Sequence, residues 1–328
     1  MLSSADNPGH LRMLTYAPAG LAPGAGLVVV LHGCTQSASG YARSAGWIEL
    51  ADRFGFALLC PEQSRGNNPN LCFNWFRPGD VRRGAGEAAS IAAMVRAASK
   101  RFAIDPSRIF VTGLSAGGAM AGVMAAAYPE LFAGAALIAG LPYGVAAGVP
   151  DALALMAGDK LGDGSSLGDR VRASGAGASA WPSIAVWQGQ GDQVVRPVVG
   201  EAVARQWRDV HGVRSEPRRA RTPAGREFEL WVSPGGAPVV EVHRIAGLGH
   251  GTPLKTDGPH GCGAVAPHLF DVGVSSSFES ALSWDLADLD AVRQPAVAEA
   301  RDGGRSPLVA PNVQGVIDAA LRRAGLMA

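Results

Sequence analysis

The run Ile109-Phe110-Val111-Thr112-Gly113-Leu114-Ser115-Ala116-Gly117-Gly118 constrains this chain more than any other stretch. It reads as a buried strand, a G-x-S-x-G turn and the start of an Ala-rich helix. So sharp a turn leaves no room for side chains on either side of the serine, which accounts for Gly113 and Gly117. It lifts the Ser115 hydroxyl above the sheet edge at the N-terminus of the next helix. Backbone N–H groups there can stabilise a developing negative charge. The five-residue pattern alone would also fit a glycine turn with an incidental serine; the flanking strand and helix are what favour a nucleophile.

The rest of the chain supplies a suitable sheet. Short apolar runs at 27–31, 56–59, 109–114, 133–139 and 183–187 read as strands, the first as a central strand buried on both faces. Helical spacing covers 41–54, 86–102, the segment after Ser115 as far as Tyr128, and 198–210. Residues 10–16 alternate as an edge strand, and 227–232 with 239–245 read as a last pair at one sheet edge. Strands alternating with helices predict an α/β fold with a mostly parallel, doubly wound sheet and helices on both faces. With no repeat and no linker, residues 1–328 are expected to form a single domain. Its excursions are an aromatic loop over 61–80 and a low-complexity segment over 144–180 that could cover the site, and the tail ends in an amphipathic helix over 313–326.

Composition removes several function classes. A net charge of +1 provides no basic surface for nucleic acid. No apolar run reaches the roughly 20 residues of a membrane span. Residues 1–10 are polar, without the basic-then-apolar layout of a secretion signal. The cysteines Cys34, Cys60, Cys72 and Cys262 contain no C-x-x-C pair, which argues against zinc and thioredoxin-like chemistry. Four cysteines allow three full pairings, and spacing does not choose among them. Cys34 and Cys72 both fall in loops near the expected site, which motivates a disulfide between them as a hypothesis. Cys60 reads as a buried thiol.

A serine nucleophile needs a base and a carboxylate that holds the base in the right tautomer. On α/β-hydrolase sheets the chain order is Ser, then Asp or Glu, then His. Asp192 follows the 183–187 strand across a glycine turn and fits the acid; Asp159, Asp163 and Asp169 lie in the irregular segment, and Asp209 lies on a helix. His250, between Gly249 and Gly251 after the strand ending at Ile245, fits the base. His243 lies inside a strand, and His260 and His268 follow no evident strand end. The backbone N–H groups of Ala116 and Cys34 are the expected oxyanion donors, the latter from the His32-Gly33-Cys34-Thr35 loop after the first central strand. His32 is expected to shape that loop by local hydrogen bonding. The mechanism calls for neither a metal nor an organic cofactor.

With these residues in hand, the chain resembles the polyhydroxybutyrate depolymerase family of esterases, and is similar to the wider feruloyl and acetylxylan esterase group. The resemblance rests on Leu31-His32-Gly33-Cys34-Thr35-Gln36, Cys72-Phe73-Asn74-Trp75-Phe76, Asp105-Pro106-Ser107-Arg108 leading into the serine turn, Ala139-Gly140-Leu141-Pro142-Tyr143-Gly144, and Gly249-His250-Gly251-Thr252-Pro253. It implies an α/β-hydrolase fold and a serine esterase with Ser115, Asp192 and His250 as triad. The implied substrates are polyhydroxyalkanoate polymers or oligomers, or small carboxylic esters, and the implied compartment is extracellular or periplasmic. Phe73, Trp75 and Tyr143 are candidates to line the acyl cleft. Val145 stands where a cysteine is expected, and no Thr-rich linker or polymer-binding domain follows. Soluble oligomers and shorter hydroxyalkanoate or aryl esters are therefore expected substrates beside polymer. Two other readings are the same machinery on cell-wall esters and a non-catalytic binding protein that keeps the fold; an intact triad weighs against the latter. Oligomeric state is left open by the sequence.

Overall fold

The computed structural model describes residues 6–289 apart from 176 and 222–225, so the helix expected over 313–326 lies outside the described residues. Its strands are β1 (Arg12–Tyr16), β2 (Leu27–Leu31), β3 (Ala57–Glu62), β4 (Ile109–Leu114), β5 (Gly134–Ile138), β6 (Ser183–Gly189), β7 (Arg218–Arg221), β8 (Arg226–Val232), β9 (Pro238–Ile245), β10 (Thr252–Leu254) and β11 (Leu269–Asp271). The helices are α1 (Ala38–Ser44), α2 (Trp47–Phe54), α3 (Gly86–Phe102), α4 (Ala116–Ala127), α5 (Val149–Met156), α6 (Gly164–Ser174), α7 (Pro197–Val210) and α8 (Ser276–Ser283). The main sheet runs β1-β3-β2-β4-β5-β6-β9-β8-β7. From β3 to β9 every neighbour is parallel; β1, β8 and β7 pair antiparallel at the two edges.

Strand β2 shows why a continuous apolar run was needed. All five of its residues are buried. Leu27, Val29 and Leu31 join one core layer with Ile91, Met94 and Met120 from α3 and α4. Val28 and Val30 face the opposite layer, with Tyr41, Trp47, Leu50 and Phe278 from α1, α2 and α8. Period-two alternation thus feeds two cores, and each buried Val or Leu contributes about 1.5–3 kcal/mol.

The structure departs from the sequence reading in three places. The helix expected over 41–54 is two helices, because Gly46 adopts φ +85° and a Cβ there would meet Cys262 Sγ at 2.6 Å. The edge lies one strand further out, at the Arg-rich β7, where Arg219 pairs with Glu229 on β8. Beyond Ile245, where the sequence shows no further strand end, a second, two-stranded parallel sheet forms, β10 with β11. In the low-complexity segment, α6 packs on α7: Gln206 Nε2 donates to the Leu167 carbonyl at 2.9 Å and Arg172 pairs with Asp209.

Candidate active site

Ser115 lies between β4 and α4 with φ +57° and ψ −116°, a conformation rare for a side-chain-bearing residue and held here by its surroundings. Its N–H donates to the Ile138 carbonyl at 2.8 Å. A Cβ on Gly113 would approach the Gly117 backbone to 2.5 Å, and one on Gly117 would overlap the carbonyl oxygens of Leu31 and His32. The α4 backbone can therefore cross this close to β2 only without side chains. Gly117→Ala is expected to destabilise the protein by about 3 kcal/mol or more, as overpacking against backbone that has no soft way to yield. Urea unfolding measures it, and an unchanged midpoint would show that the elbow relaxes.

The structure brings Ser115, His250 and Asp192 together from three separate loops. His250 Nδ1 lies 2.8 Å from Asp192 Oδ2, and His250 Nε2 lies 2.9 Å from Ser115 Oγ. A carboxylate oxygen only accepts, so Nδ1 carries the proton and Nε2 is left to accept the serine hydroxyl. The Asp192 side chain is fully buried and that of His250 is 10% exposed. The other carboxylate oxygen, Asp192 Oδ1, accepts the N–H groups of Val194 and Val195, both at 2.8 Å. The acid loop is laced to the base loop by backbone: Gln190 N–H donates to Ile245 and Gly191 N–H to Leu248, each at 2.9 Å.

The loop after β2, where an oxyanion donor is expected, pairs the N–H groups on either side of Cys34. Gly33 N–H donates to Gln36 Oε1 at 2.9 Å and Thr35 N–H to the Asn70 carbonyl at 2.7 Å. The Cys34 N–H between them has no partner among the described residues, nor has that of Ala116 at the start of α4. Cys34 is joined to Cys72 by a disulfide, while Cys60 and Cys262 are buried free thiols whose pKa values burial raises to about 12 and about 11. His32 is fully buried; its Nδ1–H donates to the Gly33 carbonyl at 2.8 Å and its Nε2 accepts the Gln63 N–H at 3.2 Å. Burial lowers its pKa, consistent with a neutral ring that shapes the loop.

The rival residues sit elsewhere. His243 is buried and stacked on Trp187 at 3.7 Å, and His260 stacks on Phe278. His268 donates from Nδ1 to the His250 carbonyl at 3.1 Å and so supports the base loop. Asp169 and Asp209 pair with Arg172, and Asp163 caps α6. Phe73 is fully buried with its ring 4.9 Å from that of His32, whereas Trp75 and Tyr143 keep 8% and 9% exposure. Among the described residues no cluster of three or more His, Cys, Asp or Glu is placed to hold a metal ion, and no helix is long and apolar enough to cross a membrane.

Sequence reasoning passed over six exposed apolar side chains. Val149 and Leu153 lie on the segment leaving β5, Val194 and Val198 on the segment leaving β6, and Val265 and Phe270 beyond His250. Two of them adjoin the triad: Val194 N–H bonds Asp192, and the Phe270 ring lies against Gly251, next to His250. Their signal was present in the sequence, but the low-complexity and glycine-rich context carried no periodicity to mark it.

Several known proteins resemble this chain over most of its length. Residues 11–227 match the family model described as Esterase PHB depolymerase. The chain is 42% identical over 274 residues to poly(3-hydroxyalkanoate) depolymerase C of Paucimonas lemoignei, covering 83% of this chain and 66% of that protein, just under two thirds of the relative's length. It is 30% identical over 259 residues to feruloyl esterase B of Neurospora crassa, covering 76% of this chain and 86% of that protein. The solved acetyl xylan esterase from Aspergillus awamori matches at TM-score 0.67 and 27% identity, covering 75% of this chain and 90% of that one. The fold is that of the α/β-hydrolases.

Proposed function

This chain belongs to the esterase PHB depolymerase family, and on that premise we propose that it is a serine esterase that hydrolyses polyhydroxyalkanoate esters. The observation that carries the reading is the continuous relay from Ser115 Oγ through His250 to Asp192, with both bonds under 3 Å. His250 Nε2 takes the Ser115 proton as Oγ attacks the ester carbonyl. The N–H groups of Cys34 and Ala116 hold the tetrahedral oxyanion. The imidazolium, steadied by Asp192, then passes its proton to the departing alcohol oxygen as the C–O bond breaks. Water, activated by the same imidazole, hydrolyses the acyl-enzyme and returns Ser115 to its starting state.

Within the same chemistry, the exposed apolar side chains Val194 and Phe270, beside Asp192 and Gly251, favour a hydrophobic polyester chain over a sugar ester. A sugar ring would call for polar side chains in those places. Of the three aromatic candidates for acyl contact, Trp75 and Tyr143 keep 8% and 9% exposure and Phe73 none. The likeness to feruloyl and acetyl xylan esterases supports the cell-wall ester reading as second. Purified protein offered 3-hydroxybutyrate oligomers, methyl ferulate and acetylated xylan in parallel separates the two. The oligomers are expected to be cleaved with at least about tenfold higher kcat/KM, a difference of about 1.4 kcal/mol in transition-state binding. The reverse ranking would move the substrate to plant cell-wall esters.

A further inference from the structure

Glu87 stands in the first turn of α3, a position where an acidic residue ordinarily meets solvent and the helix dipole. Here it is 1% exposed. One carboxylate oxygen accepts Gln63 Nε2 and Asn74 Nδ2, both at 2.6 Å, and the other accepts the Asn74 backbone N–H at 2.8 Å. Among the described residues no cation is a partner, and the Asp80 carboxylate, whose Oδ1 accepts the Glu87 N–H at 3.3 Å, adds a like charge. Burial raises its pKa to about 7. A buried carboxylate without a cation is costly, so its retention needs a reason in what its donors hold.

Those donors hold the segment that grips the oxyanion loop. Gln63 Nε2 also donates to the Cys72 carbonyl at 3.1 Å, and the Gln63 N–H donates to His32. Asn74 Oδ1 accepts Asn68 Nδ2 at 3.1 Å, and Asn68 Oδ1 in turn accepts the Asn70 N–H at 2.9 Å. The 63–74 segment then reaches the 32–35 loop by three straps: Gln63 N–H to His32 Nε2, the Asn70 carbonyl to Thr35 N–H, and the Cys34–Cys72 disulfide. Thr35 and Leu71 both adopt positive φ, +65° and +57°, so neither loop would keep its shape without outside restraint. The Cys34 N–H is the unpartnered donor at the centre of this arrangement.

We propose that Glu87 is a positioning residue, which through Gln63 and Asn74 fixes the 63–74 segment and so holds the Cys34 N–H where the ester oxyanion forms. The role rests on the serine esterase reading, and its test is built to fail separately. Activity of the unaltered protein on a soluble short ester, and its loss in Ser115→Ala, judge the esterase reading first. Glu87→Gln is then assayed at pH 8, where Glu87 of the unaltered protein is ionised, with rates expressed per active site titrated by a fluorophosphonate. An amide in place of the carboxylate turns an –NH2 toward groups that are themselves donors. The expected result is a kcat lowered about 10- to 100-fold, part of the effect of losing a whole oxyanion donor, with KM within about twofold. The Ki of an aliphatic trifluoromethyl ketone, whose hemiketal oxygen occupies the oxyanion position, should rise in step with the fall in kcat/KM. Glu87→Asp, which restores the charge one methylene short, should recover part of the loss. An unchanged kcat per titrated site overturns the proposal, as does a fallen kcat with an unchanged ketone Ki. Should Glu87→Gln yield no folded protein, Gln63→Met removes the side-chain bonds from Gln63 to Glu87 and to the Cys72 carbonyl and is read in the same way, with an unchanged kcat per site again overturning the proposal.

Discussion

Ser115→Ala is expected to lower kcat for ester hydrolysis by about a million-fold while leaving the fold intact, the scale on which a triad acts as a unit. The substitution keeps the Cβ, so the backbone at φ +57° is no more strained than before. What it removes is Oγ and one hydrogen bond, to His250 Nε2 at 2.9 Å. That bond is exposed enough to be replaced by water, and the thermal midpoint should stay within a few degrees of the unaltered protein. The residual rate reflects the Cys34 and Ala116 N–H groups and binding alone. Covalent labelling by a fluorophosphonate should vanish with it. A variant that keeps more than about one per cent of kcat places the nucleophile elsewhere, since single-group contributions of that size belong to general acid–base assistance and not to the attacking atom.

How much of this could be read from residues alone follows from what each residue had to satisfy. The elbow was legible because Gly113, Ser115 and Gly117 each answer a local steric demand, visible without knowing the partner strands. Strand β2 was legible because burial on both faces demands five apolar residues in succession. Asp192 and His250 could be grouped with Ser115 because chain order and strand ends restrict where candidate partners can stand, and the structure puts the three within hydrogen-bond reach. The break at Gly46 was not legible: its cause is Cys262, 216 positions away in sequence, pressing where a side chain would be. Strand β7 hid behind Arg218, Arg219 and Arg221, since an edge strand can be polar on its open side and still complete a ladder with β8. Glu87 hid in plain view, because an acidic residue in a helix's first turn is unremarkable until its burial is known. Local constraints survive in the sequence; contacts between distant segments leave no local mark.

The same distinction explains why the 32–35 loop needs so much support. His250 and Asp192 are placed by strand ends and by backbone bonds between 190–191 and 245–248. The 32–35 loop has β2 behind it, a local bond from Gly33 N–H to Gln36 Oε1, and a residue of positive φ within it. Its remaining restraints come from the 63–74 segment, which has no regular structure beyond the end of β3 at Glu62. A disulfide, two hydrogen-bonded straps and a buried carboxylate supply there the rigidity that the sheet supplies elsewhere.

Asp192→Asn is expected to cost about 10⁴-fold in kcat, with KM and stability little altered, through a change of tautomer. The argument starts from Oδ1, which accepts the Val194 and Val195 N–H groups at 2.8 Å each. An asparagine can satisfy those two donors only with its carbonyl oxygen. Its –NH2 must then take the Oδ2 position, 2.8 Å from His250 Nδ1. Two donors cannot face each other at that distance, so the imidazole gives up its Nδ1 proton and carries one on Nε2 instead. The ring keeps its place, but Nε2 now donates toward Ser115 Oγ and cannot remove the hydroxyl proton. Substrate still binds, and the oxyanion donors are untouched, which is why the loss falls on kcat. Nuclear magnetic resonance of the ring nitrogens, with 15N-labelled histidine, should show the proton move from Nδ1 to Nε2. A variant that loses activity while its Nδ1 remains protonated would show that Asp192 acts by holding charge and not by choosing the tautomer.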